Sequence, residues 1–132
     1  MSNFYTAGGA AMTSDRDDWE TPQALFEELD AVHRFTLDPC STHANAKCAK
    51  HYTAEDDGLA QTWEGERVFC NPPYGRGIGE WVRKCWEESA HADVVLLIPA
   101  RTDTAYFHDY ILGKADITFL RGRLRFERGG RL

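Results

Sequence analysis

The sequence predicts an α/β domain built on a mainly parallel sheet, and three observations carry that prediction. Segments of helical periodicity alternate with short apolar runs along the chain. The longest apolar run, "ADVVLLIPA" at 92–100, is continuous rather than alternating, as in a strand covered on both faces. A chain of 132 residues suffices for one hydrophobic core but not for two. The expected division is a mobile leader of small and polar residues at 1–14 and a single folded domain at 15–132.

The elements follow in order. In "TPQALFEELDAVHRF", Thr21 is a cap candidate and Pro22 suits a first helical position, with Leu25, Phe26, Leu29 and Val32 at helical spacing behind them. "FTLD" reads as a short strand ending at Asp38-Pro39, and 40–66 as irregular chain with one helical turn near 44–50. "RVFC" is the next strand. "IGEWVRKCWEESA" is amphipathic, with Ile78, Trp81, Val82, Cys85 and Trp86 on its core face. "TDTAYFHDYIL" is a further helix starting near Thr102 or Asp103, and "ADITFL" and "LRF" close the chain as strands around Arg121-Gly122.

Composition excludes some function classes. No apolar run approaches the roughly 20 residues of a membrane span. The opening "MSNFYTAGGAAMTSDRDD" has no basic region followed by an apolar core, so it is not a secretory signal, and a cytoplasmic location is expected. The net charge of -6 argues against simple electrostatic adhesion to nucleic acid. Arginines outnumber Glu127 in the final "RGRLRFERGGRL", which could meet phosphates or stay solvated. Cys40, Cys48, Cys70 and Cys85 form no Cys-x-x-Cys pair. Cys48 with His51 and nearby His43 is one ragged pair where structural zinc takes two tight ones, so reduced buried thiols are expected and no metal. His33, His51 and His108 read as surface or satisfied histidines.

In parallel α/β sheets a ligand sits beyond the carboxyl ends of the strands. Asp38, Asn71 and Pro99 occupy that place here. The loop "RVFCNPPYGRG" is the most informative of the three. Pro72 and Pro73 can continue neither ladder nor helix, and Pro72 biases Asn71 toward extended backbone. They hold Asn71 and Tyr74 in a stiff bracket. The Asn71 side-chain carbonyl and the Pro72 backbone carbonyl can together accept both hydrogens of one planar amino group, and an aromatic ring can stack on the heterocycle that carries it. Such an amine is a poor nucleophile because its lone pair is delocalised. Two acceptors help it rehybridise toward an electrophile, with no metal or covalent nucleophile required.

"NPPY" after a short strand resembles the catalytic motif of S-adenosylmethionine-dependent amino-methyltransferases. With "DDWETPQALFEEL", "LDPCSTHANAKCAKHYTAEDDGL", "LLIPARTDTAYFHDYI" and "FLRGRLRF" in this order, the chain resembles the phage and prophage DNA N6-adenine methyltransferase family over roughly 15–127. The resemblance implies a Rossmann-like, class I methyltransferase fold in one domain. It also implies methyl transfer from S-adenosylmethionine to the N6 amino group of adenine, flipped out of DNA. Asn71 and Pro72 would hold that amino group, with Pro73 stiffening the bracket and Tyr74 stacking on the base. Asp38 and Pro39, ending the first strand, would meet the methionine end of the cofactor; Trp19, Thr21 and Pro22 would pack around it; Asp56 or Asp57 would contact its ribose or adenine. Arg101 lies in a family segment near the active face, and Arg121, Arg123 and Arg125 would reach DNA phosphates. The family implies a phage- or prophage-encoded enzyme working in the cytoplasm of a bacterial host.

Two departures from the family pattern stand out. The cofactor segment after Asp38, "PCSTHANA", has no glycine, and the chain stops at "ERGGRL" where the family continues into a further apolar strand, so a sheet lacking its last strand is expected. With little length for a separate target-reading domain, sequence preference would be loose or supplied by loops and the second subunit of a homodimer. The alternatives are a catalytically inactive DNA- or cofactor-binding relative, a methyltransferase acting on RNA bases or on protein glutamine, and a small zinc module.

Overall fold

The structure, a computed structural model, describes residues 3–7 and 21–121. Four strands form one sheet in which every pair is parallel: β1 (Asn3–Ala7), β2 (Arg67–Cys70), β3 (Asp93–Pro99) and β4 (Asp116–Leu120), in the spatial order β2-β3-β1-β4. The predicted parallel α/β architecture is borne out. β1 is a correction. Residues 3–7, expected within a mobile leader, lie inside the sheet, with Asn3 opposite Val95 on one side and Asp116 on the other. The expected "LRF" strand and the question of a last strand fall outside the described residues.

Side chains alternate across β2 and β3. Val68, Cys70, Val94, Leu96 and Ile98 enter one core, and Phe69, Val95 and Leu97 enter the other. On the second face lies α1 (Gln23–His33), contributing Phe26 and Leu29, with Phe26 edge-on to Phe69 at 5.2 Å between ring centroids. On the first lie α2 (Ile78–Glu88) and a π-helical turn (Phe107–Ile111), which bury Val82, Cys85, Phe107 and Ile111. Because both faces are covered, β3 is apolar and buried from Val94 to Pro99 behind an exposed Asp93, as its run predicted.

Several expectations shift in detail. "FTLD" is reduced to two isolated bridges, Leu37 to Val68 and Asp38 to His51. Thr36 and Leu37 N–H groups both donate to the Arg67 carbonyl, after which Asp38 N–H turns to Lys50 and its carbonyl to Tyr52, so no ladder continues. Residues 43–50 hold turns and bends in place of a helical turn. Thr21 is not the cap of α1. Pro22 occupies that position with extended backbone, and its carbonyl takes the Phe26 N–H at 3.2 Å. Val32 (76% exposed) and Trp86 (42%) lie off the core. Trp86 packs instead on Tyr110, with the Lys114 ammonium over its ring. The expected helix at 102–112 has only its middle, and that middle is wound as a π turn closed by Leu112 N–H on the Phe107 carbonyl at 2.8 Å.

Candidate active site

Parallel strands place all their carboxyl ends on one rim, and the residues singled out by sequence collect there. Asn71 follows the last residue of β2. Its side-chain amide donates to Thr21 Oγ1 at 2.6 Å, and the Tyr74 hydroxyl donates to Asn71 Oδ1 at 3.0 Å. Thr21 is 2% exposed and Tyr74 8%. Pro72 is buried and Pro73 exposed, so the bracket is anchored on one side only. Desolvation pushes the Tyr74 phenol well above its usual range, keeping it a proton donor. The ring belongs to the core cluster, which makes it a strut behind Asn71 rather than the open platform the sequence suggested.

Asp38 is equally enclosed, at 4% exposure. Its carboxylate accepts Lys47 N–H at 2.9 Å and Cys40 N–H at 3.4 Å, closing the 39–47 loop over itself. Burial raises its carboxyl above the ordinary carboxylate value, and the two backbone N–H groups oppose that rise. Beside this loop lies a cavity of about 540 Å³, lined by Pro39, Cys40, Ser41, Asp57, Gly58 and Trp81 among others, with Pro73 of the bracket on its wall. Its size falls in the range of ligand pockets, roughly 300–1,000 Å³. Trp81 is held by a stack on buried Trp63 (centroids 6.5 Å apart, 21° between planes), whose indole N–H donates to the Gly58 carbonyl at 3.1 Å.

The polar groups around this cavity divide into spent and free. Thr42 and Asn45 exchange hydrogen bonds with each other's backbone. Asp56 accepts the Thr53 N–H at 2.9 Å and hydroxyl at 3.1 Å, which hold its carboxyl below the ordinary value. Asp57 faces the cavity from a left-handed backbone (φ 56°), and its carboxylate makes no hydrogen bond or ion pair among the described residues. The Ser41 hydroxyl is buried without a hydrogen-bond partner. Sequence reasoning left Asp56 and Asp57 open and missed Ser41; no local pattern marks a serine whose hydroxyl is orphaned only by the closing of a loop.

Three thiols underlie the site. Cys40 Sγ lies 3.8 Å from Cys70 Sγ, Cys85 is adjacent to Cys70, and burial raises the Cys40 and Cys70 thiols. All four cysteines are free. Cys48, pushed up to about 12 by burial and nearby carboxylates, sits apart from the paired rings of His43 and His51. Among the described residues no group of three or more His, Cys, Asp or Glu is placed to hold a metal ion.

Arg101 is exposed just beyond β3, its N–H on the Pro99 carbonyl at 2.9 Å. Arg121 is exposed at the end of β4, three strands across the sheet from β2. Arg76, exposed between two glycines of the bracket, was not singled out by sequence although it stands closer to Asn71 in the chain than either. Trp19, Arg123 and Arg125 lie outside the described residues.

Comparison with known proteins decides the lineage. The model of the family "DNA N-6-adenine-methyltransferase (Dam)" matches residues 8–131. The chain belongs to the DNA N-6-adenine-methyltransferase (Dam) family. It is similar to a Dam relative of Escherichia phage T1, "DNA N-6-adenine-methyltransferase", at 30% identity over 127 residues, 89% of this chain and 53% of that protein. A protein of the same name from Haemophilus phage HP1 is 27% identical over 110 residues, 81% of this chain and 64% of that protein. The chain thus spans between half and two thirds of the length of these Dam relatives. No solved structure matches it. The family resemblance carried by the five sequence segments is borne out.

Proposed function

We propose that this chain moves a methyl group from S-adenosylmethionine to the N6 amino group of adenine in DNA, on a Rossmann-like scaffold. The observation that carries this reading is the Asn71 carboxamide, oriented at the carboxyl end of a buried parallel strand and beside a cavity on the same rim. Membership of the Dam family and the names of its phage relatives support the reaction and substrate.

The cavity suits the cofactor by its own chemistry. It has the volume, an aromatic wall in Trp81, an unpartnered hydroxyl in Ser41 and an uncommitted carboxylate in Asp57. We assign Asp57 rather than Asp56 to accept cofactor hydroxyls, because Asp56 is already spent on Thr53. The bound cofactor supplies an electrophilic methyl group. Asp38 acts through the loop: its carboxylate holds the Cys40 and Lys47 amides and so shapes the cavity rim, and at 4% exposure it touches the methionine end directly only if that loop opens. Pro39 and Pro22 serve as rigid wall and helix head.

Asn71 Oδ1, with one lone pair taken by Tyr74, keeps the other for an amino hydrogen, and the Pro72 carbonyl offers a second acceptor. So held, the amino nitrogen would direct its lone pair at the methyl group; the S–CH3 bond would break as the N–CH3 bond forms, its electron pair leaving with sulfur as a neutral thioether, and the nitrogen would then give up one proton to solvent. A base that stacks on Tyr74 has first to open the bracket, since the ring is buried. Arg76, Arg101, Arg121 and, beyond the described residues, Arg123 and Arg125 meet phosphates of the flanking strand. No helix among the described residues is long and apolar enough to cross a membrane. We place the reaction in the bacterial cytoplasm, where such DNA resides.

The test is transfer of labelled methyl from S-adenosylmethionine to unmethylated DNA, with digestion to nucleosides. Label is expected in N6-methyladenine, and Asn71→Ala is expected to lower the rate by more than about 10²-fold with cofactor affinity nearly unchanged. Label in RNA or in protein glutamine instead would change the substrate. Cofactor and DNA binding without turnover would make the chain an inactive relative.

A further inference from the structure

Thr21 stands where a helix cap and a cofactor contact are both expected, yet its hydroxyl does not cap α1. Pro22 caps α1, and no side chain caps it. Thr21 Oγ1 reaches fifty residues along the chain to accept the Asn71 side-chain N–H at 2.6 Å. At 2% exposure the threonine is sealed behind the amide it touches. On the other side the Tyr74 hydroxyl holds Asn71 Oδ1 at 3.0 Å. A carboxamide free to turn about its last bond would present oxygen and nitrogen alternately to an incoming amine. One orientation accepts a hydrogen bond, and the other places donor against donor. With both ends held, the turn is suppressed before substrate arrives.

We propose that Thr21 is a positioning residue for methyl transfer, its hydroxyl fixing the Asn71 carboxamide so that Oδ1 faces the target amino group. The inference rests on the proposed function and extends it: the segment ahead of α1 serves the catalytic amide as well as the cavity. It also accounts for a buried threonine next to a proline that needs no cap from it. A valine there has nearly the same shape but cannot accept the amide hydrogen. It would leave Asn71 held by Tyr74 alone, with its part-buried NH2 group deprived of that partner.

The experiment compares wild type, Thr21→Val, Thr21→Ser and Tyr74→Phe in methyl transfer to DNA, with the Asn71 side-chain NH2 resonances followed by NMR. Thr21→Val is expected to lower kcat by about 10- to 100-fold while KM for DNA and cofactor Kd move less than about threefold. Its Asn71 NH2 protons should lose protection from solvent exchange. Thr21→Ser should recover most of kcat, and Tyr74→Phe, which also leaves the carboxamide held at one end only, should lower kcat as well. An active wild type whose kcat is unmoved by Thr21→Val overturns the inference alone. So does a loss expressed mainly in cofactor Kd, which would return Thr21 to the cofactor site, or a loss that serine fails to restore. A wild type that transfers no methyl group overturns the proposed function, and this inference with it.

Discussion

Two side chains beside the cavity are poorly accommodated by the protein groups around them, and each makes a prediction of definite sign. An unpartnered buried hydroxyl costs about 1–3 kcal/mol, so Ser41 is a liability unless a ligand completes it. Ser41→Ala should leave the melting temperature unchanged or raise it, while weakening cofactor binding several-fold by calorimetric titration. A lower melting temperature with unchanged affinity would show that Ser41 serves the fold alone. Asp38 carries the opposite tension. Its carboxyl is raised by burial, so the folded state holds the proton more tightly than the unfolded chain does. Its contribution to stability is therefore full below the unfolded value of about 3.9 and is lost as pH rises through the higher folded value. Asp38→Asn removes this dependence. Thermal unfolding across roughly pH 3.5 to 6.5 should show wild type losing ground relative to Asp38→Asn as pH rises. A difference flat in pH would mean that the loop amides balance desolvation, and a difference of the opposite slope that they outweigh it.

Between single residues and the sheet, the cavity depends on how closely short elements approach one another. The 3₁₀ turn Gly58–Ala60 presses on the Asp38-Pro39 segment. A Cβ on Gly58 would lie 2.1 Å from the Pro39 carbonyl oxygen and 3.1 Å from Trp81 Cη2. The first contact is with backbone, which has no rotamer to yield. Gly58→Ala should therefore displace the turn and cost about 2 kcal/mol or more, toward the upper end for overpacking. Denaturant unfolding would read that loss, and cofactor affinity should fall with it because Gly58 and Pro39 share the cavity wall. If the substitution is silent, the turn is not the rigid wall described. The same closeness explains why Trp63 and Trp81 are placed as they are: one indole donates to the Gly58 carbonyl and the other stacks on it.

At the scale of the molecule, the sheet is held together by a strand that looked dispensable. β1 pairs with both β3 and β4, so its removal detaches β4 and leaves one edge of β3 unpaired. Deletion of residues 1–7 should abolish the cooperative thermal transition or lower its midpoint by more than about 10 °C, given about 2–8 °C per kcal/mol across small and mid-sized domains. A truncated protein that melts like the full chain would restore the leader expected at 1–14. The sequence did contain a signal, the β-formers Phe4, Tyr5 and Thr6. Five residues followed by small ones cannot be told from an exposed segment without knowing that two strands await them.

Much of the candidate site was legible in the chain. Asp38, Asn71, Pro72 and Tyr74 were singled out because proline and strand ends constrain the backbone locally, and local constraints are written in neighbouring residues. The continuous run of β3 and the amphipathic pattern of α2 likewise reported burial through periodicity. What the tertiary structure alone decided involves partners distant in sequence. Thr21 was drawn from cap to the Asn71 amide, Asp57 was separated from Asp56, Ser41 was left without a partner, Tyr74 was turned inward, and β1 was carried into the sheet. Each outcome depends on which groups from elsewhere fill a hydrogen bond or a volume, and that competition is settled only when the chain has closed on itself.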